Sequence, residues 1–145
     1  MGGSAGGFTV LGVLAASPHL SAAAVVSYPV TDLFDLAERS HRFELHYTQS
    51  LVGRVPRSRN EPGPYLDRSP VHFAGSIRTP LLILHGHDDA VVPVEQSRNL
   101  AARIAAVGGL VELCVYAGEG HGFRQPTNQL DEYRRVGEFI AEHVG

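Results

Sequence analysis

Residues 80–89, with the sequence PLLILHGHDD, decide the fold class. The apolar run at 80–85 is followed by a glycine and polar residues, which is typical of a strand buried on both faces of a parallel sheet. A second apolar run, residues 21–28, ends before Pro29, and alternation over residues 111–116 predicts another strand. The chain therefore has three predicted strands of one buried sheet.

Helical patterns alternate with these strands. Residues 7–16 are a short apolar stretch that Pro18 would end, and residues 94–107 have apolar positions along one helix face. A final helix is expected after Asn128, which could cap its first turn. The predicted apolar face of that helix comprises Leu130, Tyr133, Val136, Ile140 and Val144. Strands alternating with helices predict an α/β fold with a parallel sheet and flanking helices.

Residues 30–79 interrupt the alternation of strands and helices. This segment is rich in proline and arginine and contains only brief helical patterns. It is predicted to be an excursion between two sheet strands, the kind of segment that shapes a pocket. The whole chain, residues 1–145, is long enough for one domain with a core of its own.

Composition excludes several classes of protein. A net charge of −3 from 12 basic and 15 acidic residues provides no basic surface for nucleic acid. No apolar run approaches the roughly 20 residues of a membrane-spanning helix, so no membrane partner is expected. The single cysteine, Cys114, excludes an internal disulfide framework, and a cytoplasmic location is the default expectation.

The first seven residues, MGGSAGG, match the G-x-S-x-G pattern around Ser4. In that pattern a serine lies on a sharp turn between a strand and a helix, so that its hydroxyl is exposed. A glycine-rich start is also typical of a flexible leader. The strand that should precede the turn would lie before Met1, so the chain is expected to lack the N-terminal strands of its domain.

Two further residues give Ser4 a chemical context. Asp89 follows the predicted strand at 80–85, and His121 follows the one at 111–116, within a glycine-rich loop. Reactive groups collect at the carboxyl ends of parallel strands. A serine hydroxyl needs a base, which histidine supplies near neutral pH, and a carboxylate must orient that histidine. The order Ser, Asp, His is the one expected of an α/β-hydrolase, and it favours the strand–turn–helix interpretation over the leader.

Four segments carry a resemblance to a known family. They are GGSAGG at 2–7, YLDRSP at 65–70, HGHDDAVVP at 85–93 with Gln96 and Ser97, and GEGHGF at 118–123. Together they resemble the catalytic domain of the prolyl oligopeptidase family, and its acylaminoacyl-peptidase and dipeptidyl-peptidase branches in particular. The resemblance implies that Ser4 is the nucleophile, Asp89 the triad acid and His121 the base. It implies a serine peptidase that is the C-terminal part of an α/β-hydrolase domain.

The resemblance also implies secondary roles. The backbone N–H of Ala5 would bind the oxyanion, and Val30, Leu33 and Val92 would line the specificity pocket. The substrate would be a peptide, and no metal or organic cofactor would be needed. An upstream fragment of the same hydrolase domain is a candidate partner.

Alternatives remain at the level of sequence. The same residues suit a carboxylesterase of the same fold, or an inactive fragment that completes another chain's sheet. His85, His87 and Asp89 also match the opening of a metal-binding H-x-H-x-D-H sequence, but position 90, where that sequence needs a histidine, is Ala90. No metal site is therefore predicted.

Overall fold

The structure, a computed structural model, describes residues 1–33, 35 and 69–144. Its elements in chain order are β1 (Gly2–Gly3), α1 (Ala5–Ala16), β2 (Ala24–Ser27), a 3₁₀ helix (Pro70–Ser76), β3 (Leu81–Gly86), α2 (Val94–Ala106), β4 (Val111–Tyr116) and α3 (Pro126–Val144). Most of the predicted excursion at 30–79 lies outside the described residues.

The four strands form one parallel sheet in the order β1-β2-β3-β4. In the central register Val26 lies opposite Ile83, and Ile83 lies opposite Leu113. The predicted α/β fold with a parallel sheet is confirmed. Because all strands run the same way, the segments that follow β1, β3 and β4 leave the sheet at the same edge.

Apolar clusters cover both faces of the sheet. Alternate strand residues point to opposite faces, so Val26 and Ile83 join one cluster while Val25 and Leu82 join the other. The first cluster packs against helices α1 and α2, with Leu11, Leu14, Leu100 and Ile104 buried in it. The second packs against α3, through Phe139. Burial on both faces explains why β2 and β3 are continuous apolar runs.

Helix α3 corrects the sequence analysis in two respects. Leu130 and Tyr133, predicted to be buried, are 70% and 76% exposed, and the buried residue of the helix is Phe139. The helix also starts at Pro126, before Asn128, and the Asn128 side chain donates a hydrogen bond to Glu119 at 3.1 Å. The predicted cap is therefore wrong, and so is most of the predicted face, of which Val136 packs against the second cluster.

None of the helices in the described part of the chain is long and apolar enough to cross a membrane.

Candidate active site

Ser4 lies on a strained turn between β1 and α1. Its φ of 52° is in the left-handed region, which non-glycine residues rarely adopt and which recurs at functional sites. The turn is held by the Ser4 N–H, which donates to the Ser27 carbonyl at 3.0 Å. The structure thus adds a two-residue strand before Ser4, which the sequence did not reveal.

Two of the glycines near Ser4 are needed because close packing leaves no room for a side chain there. A Cβ at Gly2 would lie 2.9 Å from the Gly7 nitrogen, and a Cβ at Gly7 would lie 2.7 Å from the Pro29 Cβ. A Cβ at Gly6 would meet no heavy atom of the described residues within 4 Å. The steric need therefore falls on Gly2 and Gly7 rather than on the last glycine of G-x-S-x-G.

Asp89 lies in the turn after β3 and is almost fully buried. Its Oδ1 accepts hydrogen bonds from the N–H groups of Val91 and Val92, both at 2.8 Å. The neighbouring Asp88 is instead exposed and contacts His87, with 3.0 Å between Oδ1 and Nδ1. The structure therefore places Asp89, and not Asp88, at the edge of the sheet where Ser4 and His121 lie.

His121 lies in the loop between β4 and α3, and a buried carboxylate organises that loop. Glu119 is 3% exposed and accepts hydrogen bonds from the N–H groups of Arg124 and Gln125 and from the Asn128 side chain. Burial raises the pKa of Glu119, but these hydrogen bonds lower it more, so its pKa lies below the ordinary value of 4.5. Glu119 therefore stays ionised near neutral pH and holds the loop to the start of α3.

The three predicted residues form one hydrogen-bonded chain. His121 Nε2 lies 3.0 Å from Ser4 Oγ, and His121 Nδ1 lies 2.8 Å from Asp89 Oδ2. Because Nδ1 faces a carboxylate, it carries the proton, which leaves Nε2 free to accept the serine proton. The arrangement can remove the hydroxyl proton of Ser4 and stabilise the resulting imidazolium.

The pKa of Asp89 favours this arrangement. Burial raises the pKa of the carboxyl, but hydrogen bonds from His121, His85 and the Val92 N–H lower it more. The net pKa lies well below the ordinary value of 3.8. Asp89 is therefore ionised at neutral pH, as a group that orients a histidine must be.

The ring of Tyr28 packs against His121, a contact that the sequence analysis missed. The Tyr28 ring lies 4.6 Å from the imidazole, centroid to centroid, and meets Phe123 edge-on at 5.6 Å. Tyr28 has a φ of 39°, so its backbone is also strained. The only signal in the sequence is the position of Tyr28 at the end of a predicted strand, directly before Pro29.

The secondary site residues lie around this centre. Ala5 is the first residue of α1, so its N–H belongs to the group that has no partner within the helix. Val30 donates its N–H to the Ser4 carbonyl at 3.4 Å, and the Val92 N–H binds Asp89. Leu33 donates its N–H to Ser69 Oγ at 2.9 Å. The side chains of Val30, Leu33 and Val92 are at most 2% exposed, and their part in a specificity pocket stays a prediction.

A cavity borders His121, and a second cavity is lined by other residues. One of about 360 Å³ is lined by residues 118–122 with Arg124 and Gln125, and therefore borders His121. Another, of about 420 Å³, is lined by polar residues that include Asp32, Glu95 and Gln96, and none of the three hydrogen-bonded residues lines it. Within residues 1–33, 35 and 69–144, no group of three or more His, Cys, Asp or Glu side chains could hold a metal ion.

Comparisons with known proteins show the family to which the chain belongs. The model of the prolyl oligopeptidase family (Peptidase_S9) matches residues 1–145. Dipeptidyl aminopeptidase BIII of Pseudoxanthomonas mexicana is 30% identical over all of the chain and 21% of its own length. The structure of a puromycin-hydrolyzing peptidase from Mycobacterium tuberculosis is 30% identical, with a TM-score of 0.86 over 99% of this chain and 21% of that one.

A further relative is named as an ester hydrolase and not as a peptidase. The probable carboxylic ester hydrolase LipM of Mycobacterium tuberculosis is 35% identical over 59% of this chain and 20% of its own length. The chain spans about a fifth of the curated relatives that it matches. The match to the family model covers every residue, and the resemblance inferred from the sequence is confirmed. The chain belongs to the prolyl oligopeptidase family.

Proposed function

We propose that the protein is a serine peptidase in which Ser4, Asp89 and His121 form the catalytic triad. The observation that supports this most directly is the continuous hydrogen-bonded chain, 3.0 Å from Ser4 Oγ to His121 Nε2 and 2.8 Å from His121 Nδ1 to Asp89 Oδ2. Membership of a peptidase family supports a peptide as the substrate. Because the chain spans about a fifth of its relatives, their activity is a proposal for this protein.

The first step is acylation of the serine. Ser4 Oγ attacks the scissile carbonyl while His121 Nε2 accepts its proton, and Asp89 stabilises the imidazolium that forms. The negative charge that develops on the carbonyl oxygen would lie near the N-terminus of α1. The N–H of Ala5 can donate to it there, and the helix dipole favours a negative charge at that position.

The second step releases the products. The imidazolium of His121 gives its proton to the leaving amine, and His121 then activates a water molecule that hydrolyses the ester on Ser4. The cavity of about 360 Å³ that borders His121 offers room for one of these groups. Val30, Leu33 and Val92 are proposed to bind the substrate side chain next to the scissile bond.

A carboxylesterase is the second candidate, because LipM, a probable carboxylic ester hydrolase, matches 59% of the chain. The same triad forms the same acyl-enzyme from an ester, with an alcohol as the leaving group. The two candidates therefore differ in the substrate and not in the catalytic residues.

The test is a comparison of kcat/KM for a peptide p-nitroanilide and for a p-nitrophenyl ester. A peptidase turns over both, and Ser4→Ala loses both activities. Turnover of the ester alone would contradict the peptidase proposal and favour a carboxylesterase. Turnover that is unaffected by Ser4→Ala would contradict the assignment of the nucleophile.

A further inference from the structure

His85 is a buried histidine that the proposed reaction does not use directly. It lies in β3 and is 0% exposed. Its Nδ1 lies 2.6 Å from Ser97 Oγ in α2, and its Nε2 lies 2.8 Å from the Val92 carbonyl oxygen. The same Nε2 lies 3.3 Å from Asp89 Oδ2. One imidazole therefore joins a strand, a helix and the turn that carries Asp89.

The partners of the ring decide its tautomer. Nε2 faces a carbonyl and a carboxylate, which are both acceptors, so Nε2 carries a proton. Ser97 has a hydroxyl that can rotate to suit Nδ1. The ring is thereby held in one orientation at both nitrogens.

This orientation completes the hydrogen bonding of the Asp89 carboxylate. Oδ1 accepts from the N–H groups of Val91 and Val92, while Oδ2 accepts from His121 and is approached by His85 Nε2. A carboxylate with donors on both oxygens has little freedom to rotate. We propose that His85, held by Ser97, is a positioning residue that fixes the Asp89 carboxylate for its hydrogen bond to His121.

The proposal rests on the proposed function, because Asp89 matters to the reaction only if it orients the base. Removing the donor would leave Oδ2 with His121 as its one described donor, so that the carboxylate is held less firmly against His121 Nδ1. It would also leave the Val92 carbonyl without its His85 partner. The effect should therefore reach the Asp89–His121 hydrogen bond, which a purely structural role of His85 would not single out.

The experiment compares two substitutions of His85. His85→Gln keeps an N–H donor. His85→Leu removes the donor without leaving a large cavity. We measure the low-field NMR signal of the His121 Nδ1 proton and the rate at which a fluorophosphonate probe labels Ser4. We expect His85→Gln to keep the His121 signal and much of the labelling rate. His85→Leu should lose the signal, and its Ser4 should be labelled about tenfold more slowly.

A purely structural role gives the opposite order, because a buried leucine is tolerated better than a buried amide with an unpaired oxygen. The proposal is overturned if His85→Leu keeps the His121 signal and the wild-type labelling rate. It is also overturned if the labelling rate of Ser4 falls equally in both variants. The matched control is His87→Leu, the same change at a side chain that is 57% exposed, and it should alter neither readout.

Ser97→Ala is the second variant, in case His85→Leu does not fold. It removes only the hydroxyl that holds Nδ1, and we expect labelling about threefold slower and a shifted His121 signal. An unchanged rate and signal would overturn the proposal. If wild-type Ser4 is not labelled at all, the proposed function fails, while the NMR comparison still decides whether His85 positions Asp89.

Discussion

Ser4 and His121 lie 117 positions apart in the sequence, yet a hydrogen bond of 3.0 Å joins them. At the scale of single residues, the site depends on groups that their neighbours hold in one conformation. Ser4 has a strained backbone conformation. Asp89 Oδ1 accepts hydrogen bonds from two backbone N–H groups, and His121 Nδ1 is hydrogen-bonded to Asp89 Oδ2. Such residues tolerate little change, because each replacement frees a neighbour that was fixed.

Tyr28 should affect catalysis through its ring and not through its hydroxyl. Burial, with the charges of Glu132 and Asp89, raises the pKa of the phenol, so it is neutral at pH 7. We expect Tyr28→Phe to be labelled at a rate within about twofold of wild type. Tyr28→Ala should be labelled about three- to tenfold more slowly, because the tilted ring contact with His121 is lost. The measurement is the rate constant for fluorophosphonate labelling, and equal rates for all three proteins would contradict this role.

Asp89 should make the fold sensitive to acid. Its folded pKa lies well below 3.8, so its ionised form adds stability that is present above about pH 4 and is lost as pH falls towards the folded pKa. In Asp89→Asn this part of the pH dependence is absent. Between pH 7 and pH 3 we expect the free energy of unfolding to fall by at least about 1 kcal/mol more in wild type than in the variant. Denaturant titrations at both pH values measure it, and parallel losses in the two proteins would refute it.

At the scale of elements, the strands were more predictable than the ends and faces of the helices. Residues 111–116 are β4 with the predicted bounds, and the prediction at 80–85 differs from β3 by one residue at each end. β3 is buried along its whole length and is recognised as a continuous apolar run, whereas β4 is only partly buried and is recognised by its alternation. The rotation of α3 depends on which residue meets the sheet, and its start depends on a carboxylate in another segment, Glu119. The contact of Phe139 with the sheet is not local in sequence, and the acceptor role of Glu119 depends on the conformation of its loop, so neither was predicted from the sequence.

The burial of Phe139 predicts which face of α3 docks on the sheet. Phe139→Ala should reduce the free energy of unfolding by about 3–5 kcal/mol, because it leaves a cavity between α3 and the cluster of Val25 and Leu82. Tyr133→Ala is the matched control at 76% exposure and should change it by less than about 0.5 kcal/mol. Chemical denaturation measures both, and a larger loss for Tyr133→Ala would restore the face predicted from sequence.

The end of β3 and the His121 loop meet at Gly86. A Cβ at Gly86 would collide with the carbonyl oxygens of Glu119 and Gly120, which belong to backbone and cannot rotate away. We expect Gly86→Ala to destabilise the fold by about 1–3 kcal/mol and to slow the labelling of Ser4, because the loop that carries His121 must shift. The control is Gly137→Ala in α3, where a Cβ meets no described atom within 4 Å and should add about 0.5–1 kcal/mol of stability. A stable and fully reactive Gly86→Ala would contradict this account of the loop.

At the scale of the whole molecule, the topology explains why these residues meet. Four parallel strands in sequential order bring the segments after β1, β3 and β4 to one edge of the sheet. The sequence was sufficient to predict that Ser4, Asp89 and His121 gather there, since Asp89 and His121 each follow a strand signal and Ser4 lies in the G-x-S-x-G pattern. It was not sufficient to predict Tyr28 against His121 or His85 beneath Asp89, because those contacts depend on side-chain directions across the sheet edge.

The central claim is that Ser4 is a nucleophile activated by His121. The most direct measurement is to incubate the purified chain with a fluorophosphonate probe and to locate the label by mass spectrometry. We expect one label per chain on Ser4, absent in Ser4→Ala and formed at least about a thousandfold more slowly in His121→Ala. A folded chain that is not labelled, or that is labelled as fast without His121, would contradict the claim.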